Sequence, residues 1–454
     1  MANTIGNAFV PTETGGGLQA TPQNYISLGE LLDPNKPDIR DLYVSTYGDQ
    51  GITGFLDLTG AKKTAGQADE VQWYEEGRLH KTLAYTALTS AEPGVLTCTN
   101  TSPGLIRLND VLLLHDGQRV VVKELTNATS IKVSALDGGA TSVYLVAGGA
   151  QTAAIIGNVY AQGTEQPTSF FTTGLAKYTN PYLITKEMYE VSGSQATNIG
   201  WLNVNGQNMW YLKNEMDTRK RFMNQREMML LYSEKVSDAE DKVVLGTSSI
   251  AGSEGYFAAV ESRGITATVS GGPQGSFDTM ADIDAIILEL DKEGAPAEYA
   301  MYLNRKASLD IDDMLAVGLG ASVTGGLASQ FGAFNNDADM AVKLGFKSFT
   351  RGGYTFHKHD WKLLNDPTLG GLNNLHKGAM IPMSQVSDAK SGLKSPSLEM
   401  NFKSAGNYSR EMEHWVEGGG VLGHVTSGKD TVKFNYRSEC NLVTRAANQH
   451  VVIK

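Results

Sequence analysis

QNMWYLKNEMDTRKRFMNQREMMLLYSEKV, running from Gln207 to Val236, is the stretch on which the fold turns. Met209, Leu212, Met216, Met223 and Leu230 recur at spacings of three, four, seven and seven residues, which sets them on one stripe of a helix. Lys213 with Asp217, Glu215 with Arg219 and Asp217 with Arg221 stand four apart, where opposite charges on a helix surface attract by about 0.2–0.5 kcal/mol each. The pattern predicts a helix over 207–236, about 45 Å long at roughly 1.5 Å per residue, which is long for a globular domain.

Downstream the texture becomes α/β. Thr279 opens a second amphipathic helix, with Asp282 three residues on as a variant of the capping box and Met280, Ile283, Ile286, Ile287 and Leu290 as its buried stripe. Gly294 stands where a left-handed helix stop belongs, and Tyr299 to Leu303 reads as a buried strand directly after it. Ser308 is expected to cap a third helix reaching Val317, with Asp310, Asp312 and Asp313 favoured in its first turn. Further strands are expected at Lys347–Thr350, Tyr354–Lys358, Ala379–Met383, Asp430–Tyr436, Asn441–Thr444 and Val451–Ile453.

Upstream the chain is turn-rich. Residues 1–46 carry Pro11, Gly15, Gly16, Gly17, Pro22, Pro34 and Pro37 with few apolar pairs to seed a core, and read as an extended arm. From Tyr47 to Tyr85, glycines separate short β-favouring pieces such as Ile52–Leu56 and Val71–Tyr74, the composition of a long two-stranded loop. Residues 86–165 form a separate all-β segment. Val111–His115 and Arg119–Val122 flank Asp116-Gly117, a dipeptide that supplies the positive φ angles of a tight hairpin. Ile131–Ala135 and Ser142–Val146 repeat the arrangement around Asp137-Gly138-Gly139, and Ile155–Ala161 adds another strand. The two hairpins are expected to close on each other as a barrel or sandwich inserted into the loop.

Composition narrows the function. The 38 Lys and Arg against 49 Asp and Glu leave a formal charge of -11, which argues against phosphate-driven binding of nucleic acid by the whole chain. Fifty of the 454 residues are glycine, above the usual value of about 7%. Cys98 and Cys440 have no metal or redox spacing, in keeping with a reducing cytosol, and no apolar run is long enough for a membrane span. Catalysis finds no foothold. Gly423 to Asp430 misses a phosphate-cradling loop because Asp430 replaces the required hydroxyl and a strand follows, so a hairpin turn is expected. Gly318-Leu319-Gly320 lacks the third glycine of a dinucleotide turn and reads as a loop. His357 and His359 share a strand face beside Asp360, but no third ligand is in sight, and no metal or cofactor is expected.

Arm, Gly-rich two-stranded loop, long helix, α/β region and final return strand, in that order, resemble the Hong Kong 97-like major capsid proteins of tailed bacteriophages. The resemblance implies an α+β fold: N-terminal arm 1–46, extended loop 47–85 and 166–176, inserted small all-β domain 86–165, peripheral domain 177–276 and 425–454 with spine helix 207–236, and axial α/β domain 277–424. It implies a non-enzymatic shell protein whose arm and loop gain their order by lying across neighbouring copies. It further implies pentamers and hexamers, a portal, possible decoration proteins, and enclosed double-stranded DNA bound without sequence specificity. Because the arm is too short to hold a removable scaffold, a separate scaffolding protein is implied. Assembly in the host bacterial cytoplasm and a final place in the virion follow.

Candidate inter-subunit contacts are few. Lys62 and Lys63 stand where some members of that family crosslink a loop lysine to a neighbour's asparagine, though only solvation or ionic contact is expected of them here. Trp73 and Tyr74 suit either an intersubunit anchor or a local core. Two rival readings share parts of the pattern: an encapsulin-like compartment shell, and a β-rich tail or adhesin protein favoured by the β segment but opposed by the long helix.

Overall fold

The computed structural model describes residues 62–80, 82–89, 91–98, 106–127, 129–139, 141, 144–145, 151–167, 173–197, 210–236, 243–245, 248–250, 252–269, 277, 279–320, 347–365, 375–387, 394–419 and 425–454. The arm and the Ile52–Leu56 piece lie outside them. The chain divides into two compact units, one of residues 1–55, 184–229 and 410–439, the other of residues 56–183, 230–409 and 440–454.

In the second unit the chain begins with β1 (Lys62–Gly66) and β2 (Glu70–Glu76), then enters a seven-stranded sheet. Its strands are β3 (Thr82–Leu88), β4 (Gly94–Cys98), β5 (Asp110–Leu113), β6 (Arg119–Asn127), β7 (Ser130–Ala135), β8 (Tyr144–Leu145) and β9 (Gln151–Asn158). The order β4-β7-β6-β5-β9-β3 closes on itself because β3 also pairs β4, which makes a barrel. Alternation drives the closure: Leu83, Tyr85, Leu96, Val120, Val122, Ile131 and Val133 point inward into one buried cluster. The Asp116-Gly117 hairpin forms as expected, with Gly117 at φ +85° and Leu113 opposite Arg119. The second expected hairpin does not. After the turn at Gly138 the chain leaves β7, which pairs β4 and β6, and β8 adds to β3 instead. Closing the barrel satisfies every inner edge, which a hairpin pair would leave open. Thr82–Tyr85 belong to the barrel, four residues ahead of the expected boundary.

Leaving the barrel, β10 (Leu175–Pro181) runs antiparallel to β2, from Leu175 opposite Glu76 to Pro181 opposite Glu70. The two-stranded loop therefore exists, but its partner strands are roughly a hundred residues apart, with the barrel spliced between them.

The first unit contains β11 (Leu183–Ser192), most of helix α1 (Trp210–Tyr232), β23 (Glu413–Gly418) and the first part of β24 (Thr431–Thr444). The helix ends at Tyr232, short of Val236. Of the expected stripe Leu230 is buried and Met223 half-buried, whereas Met216 is 58% exposed; Met209 and the Leu212 side chain lie outside the described residues, and Thr218, Phe222 and Glu227 are buried as well. Phe222 stacks on Tyr436 at 5.8 Å, within a cluster of Val191, Val432, Phe434 and Tyr436. Of the expected charged residues, Glu215 accepts the Tyr436 hydroxyl and Arg221 pairs Glu187 of β11 at 2.9 Å. A strand ladder covers this face of the helix, so its outward side takes the methionine.

The rest of the second unit is a mixed six-stranded sheet, β14-β25-β18-β15-β17-β16. Its strands are β14 (Ile265–Ala267), β15 (Glu298–Leu303), β16 (Ser348–Arg351), β17 (Tyr354–Asp360), β18 (Gly378–Pro382) and β25 (Val451–Ile453). Two short ladders, β12 (Val243–Leu245) with β13 (Ser248–Ile250) and β19 (Gln385–Ser387) with β20 (Lys394–Pro396), stand beside it in sequence. Helices α3 (Met280–Lys292) and α4 (Arg305–Gly320) share a core with it: Ile283, Ile286, Leu290 and Ile311 pack with Tyr299, Met301, Leu303 and Phe356. Helix α3 matches its expected stripe, the Thr279 amide donates to the Asp282 carboxylate at 3.2 Å, and Gly294 ends the helix at φ +62°. Helix α4 starts three residues before Ser308, capped by Asn304, whose side-chain oxygen takes the Ala307 amide at 2.7 Å. It continues through Gly318-Leu319-Gly320, so those residues are helical and not a loop. Expected strands at 430–436 and 441–444 are one strand, β24. Its end pairs β21 (Leu398–Ala405), which also carries β22 (Tyr408–Ser409) and, in parallel, β1. The α+β class read from the sequence holds.

Candidate functional site

The β2–β10 ribbon and the barrel it carries expose several large apolar side chains, among them Tyr74, Leu79, Leu108, Ile156 and Leu175. The ribbon is fastened at one end by Asn180, which is fully buried. Its amide nitrogen donates to the carbonyls of Leu442 (2.7 Å) and Glu254 (2.9 Å), and its oxygen accepts from the Glu254 amide (2.8 Å) and the Ser253 hydroxyl (3.2 Å). Asn441 in turn donates to the Asn180 carbonyl at 2.8 Å. One side chain thus joins three segments, and each of its hydrogen-bonding directions is used. Lys235 adds bonds to the Thr179 carbonyl and hydroxyl.

Further along the ribbon Trp73 is only 7% exposed, its ring 5.8 Å from Tyr178 and its indole nitrogen donating to Glu75 at 3.0 Å. Glu75 also accepts the Ala446 amide, and beyond it Arg78 pairs Glu293 at 2.8 Å. The ribbon therefore lies along its own unit. The expectation that residues before the long helix are ordered only by neighbouring copies is corrected for those described: barrel and ribbon have their own core and their own hydrogen bonds. Period-two alternation decides which face is covered, since Tyr74, next to Trp73, points away and is 63% exposed. Lys62 and Lys63 fall on β1, opposite Glu399 and Met400.

No protein-family model and no curated protein matches the chain. Among solved structures it is similar to a chain of Mycobacterium phage Cain at 9% identity, over 95% of this chain and 98% of that one, with a TM-score of 0.41. It is similar to the capsid structure of the cyanophage P-SCSP1u at 7% identity, over 91% and 93%, with a TM-score of 0.41. It is likewise similar to the mature capsid of bacteriophage PhiM1 at 7% identity, over 93% and 98%, with a TM-score of 0.37.

The residues weighed for chemistry are not gathered into a site. His357 and His359 lie on β17, where His359 stacks on Tyr302 at 5.2 Å and Asp360 is taken by Arg305 at 2.5 Å. Burial, with His357 alongside, holds His359 below the usual imidazole range. Among the described residues no group of three or more His, Cys, Asp or Glu side chains is arranged to hold a metal. Gly423 and His424 lie outside the described residues; on either side of them β23 pairs β24 antiparallel, the Gly418 amide donates to the Thr426 hydroxyl at 2.9 Å and Lys429 pairs Glu190 at 2.6 Å. Cys98 and Cys440 are buried and unbridged, and burial pushes the Cys98 thiol up to about 11, far from a reactive thiolate. Among the described residues no helix is long and apolar enough to cross a membrane.

Two features escaped sequence reasoning. Asn180 gave no local signal, because an Asn-Pro pair ordinarily marks a turn. A buried pair of histidines is the other. His376 bonds Glu261 at 2.6 Å and stacks on Phe257 at 4.1 Å, while His450 meets the Tyr256 hydroxyl at 3.2 Å. Burial drives the His450 imidazole down to about 3 and lowers His376 despite its glutamate partner. Both lie next to strands of the mixed sheet and pack on α2 (Tyr256–Arg263), so their role is to fill and hydrogen-bond a core that sequence alone could not place.

Proposed function

We propose that the chain is the major capsid protein of a tailed bacteriophage, the subunit whose copies close an icosahedral shell around double-stranded DNA. One observation carries the reading: a closed barrel spliced into a paired ribbon, followed by a long helix packed on the chain's own returning strand, followed by a mixed sheet in which β25 is the last strand to join. Such an order of elements leaves several separate surfaces on one chain, which suits a subunit with several neighbours. Ribbon, helix-backed sheet and α/β unit each offer a different surface, so copies can bury area on several neighbours in head-to-tail rings. Interfaces of about 800 Å² per partner, repeated over a shell, make stability collective.

On this reading residues 1–46 are the arm, 47–85 and 166–176 the extended loop, 86–165 the inserted domain, 177–276 and 425–454 the peripheral domain, and 277–424 the axial domain. Pentamers and hexamers of the chain would meet a portal, a separate scaffolding protein and possible decoration proteins, with assembly in the bacterial cytoplasm. Tyr74, exposed on the ribbon, and Lys62 and Lys63 would contact neighbours, whereas Trp73 is used within the chain. The net charge of -11 suits DNA confined by a wall and not gripped by it.

Electron microscopy of the purified chain, with and without the scaffolding protein, tests the proposal. Icosahedral or tubular lattices are expected. A chain that stays monomeric under both conditions and is missing from virions by mass spectrometry overturns it.

A further inference from the structure

Helix α1 covers one face of the sheet formed by β11, β24 and β23, where Phe222 packs with Val191, Val432, Phe434 and Tyr436. Side chains alternate along a strand, so Asn435 and Arg437 of β24 turn to the opposite face, joined there by Lys186 and Met188 of β11 and Trp415 of β23. These five line an open cavity of about 430 Å³, with Trp415 directly opposite Asn435 in the strand register.

The polar groups of the cavity are unequally matched. Its carboxylates are engaged: Glu413 accepts from Arg437 at 2.7 Å, Glu417 accepts from the Trp415 indole at 2.9 Å, and Glu187, at the edge, pairs Arg221 on the helix side at 2.9 Å. Tyr436, also at the edge, gives its hydroxyl to Glu215. Farther along the same face Glu190 pairs Lys429 at 2.6 Å and lies 4.0 Å from Lys433. What remains is donors. The Asn435 side-chain nitrogen is buried without a hydrogen-bond partner, and Lys186 is exposed and in no ion pair among the described residues. Arg437 lies 5.0 Å over the Trp415 ring, and Met188 is 55% exposed beside it. Donors set against an indole and a thioether suit a carboxylate carried on an apolar body.

We propose that this cavity seats the chain's own N-terminal segment, through residues 28–33. Three observations select that occupant. Residues 1–55 belong to the same compact unit as the sheet. They carry six carboxylates against two cations, the sign that Lys186 and the Asn435 amide lack. Within them Glu30-Leu31-Leu32-Asp33 sets two leucines between two carboxylates, whereas residues 38–44 bring Arg40, which Lys186 repels. A tethered segment is held by a contact too weak to hold a free peptide. The arm then has a place on its own subunit before any neighbour arrives, so the claim concerns the single chain and stands apart from the shell reading.

Carbodiimide joins a carboxylate to an amine only where the two meet, so it reads the contact in the unassembled full-length chain, mixed from isotope-labelled and unlabelled copies. A bond from Lys186 to Glu30 or Asp33 within one copy is expected. Hydrogen exchange over residues 28–33 is expected to speed at least about tenfold in Lys186→Glu and to slow again when Glu30→Lys and Asp33→Lys are added. Should the Lys186→Glu chain fail to fold, the cross-link in the unsubstituted protein decides alone. The proposal is overturned if Lys186 is joined to neither Glu30 nor Asp33, or if the bond forms only between labelled and unlabelled copies, which would make a second copy the occupant. Exchange that Lys186→Glu leaves unchanged overturns it too, as does a bond that appears only when a different protein is added.

Discussion

Asn180 shows how much structural weight a single polar side chain can carry. Its carboxamide is buried among two carbonyls, an amide and a hydroxyl, so removing it strands several groups at once. Asn180→Ala is expected to cost about 3 kcal/mol, since buried unpaired polar groups lose roughly 1–3 kcal/mol each. The urea midpoint reports it, and a loss under about 1 kcal/mol would show that water replaces the side chain without penalty. His450 makes a prediction of a different kind. Burial holds its folded-state imidazole at about 3 while an exposed imidazole titrates near its ordinary value of about 6.5, so between those values only the unfolded chain takes up the proton. Its contribution is therefore intact above about pH 6.5 and falls as the solution is acidified, by about 1.4 kcal/mol per pH unit. Between pH 7.5 and 5.5 the unsubstituted protein is expected to lose more stability than His450→Gln; equal losses would mean the ring is hydrated. His376, present in both proteins, cancels in the comparison.

Elements were legible where local chemistry and burial agree. Helix α3 has its cap, stripe and glycine stop within sixteen residues, Thr279 to Gly294, and each appears where the pattern set it. The Asp116-Gly117 hairpin was equally legible, because the turn demands that dipeptide. Helix α1 was visible as a helix and only in part as a face: Leu230 is buried as its spacing set it, but methionine suits core and surface alike, so Met216 and Phe222 could be ranked only by knowing that β24 lies beneath. The cap of α4 went to Asn304 because β15 ends at Leu303 and the helix starts at once; Asn304→Ala is expected to cost about 1 kcal/mol by thermal melting. Least legible was pairing across distance. Nothing near Val71 or Tyr178 announces that Trp73 faces Tyr178, since the barrel intervenes. That topology has a consequence: Glu76 and Leu175 are already cross-strand partners, and the Gly77 amide bonds the Gly174 carbonyl at 2.9 Å. Replacing residues 78–173 by a two-residue hairpin turn is expected to leave the mixed sheet and α1 folded, with helical circular dichroism per molecule unchanged. A collapse of the helical signal would show that the barrel is a folding partner and not an insertion.

At the scale of the whole molecule the candidate site is a set of surfaces, and sequence could indicate their kind but not which side chains face out. Lys62 and Lys63 stand on a strand paired to β21, and a covalent bond through them is tested directly by reducing, denaturing gels of assembled shells. A single monomer band is expected, and a ladder would assign the bond. Charge gives the broader prediction. Each copy carries a formal -11, so bringing many copies into one wall costs repulsion that no single interface removes. The screening length falls from about 14 Å near 0.05 M salt to about 4 Å near 0.5 M. If apolar contacts supply the attraction, screening removes only the opposing term, and light scattering should show faster assembly at higher salt. If ion pairs between subunits supply it, the same screening weakens the attraction and assembly slows. Arg107 with Asp110, Lys132 with Glu124 and Arg221 with Glu187 are pairs already made within one copy, which favours the first outcome.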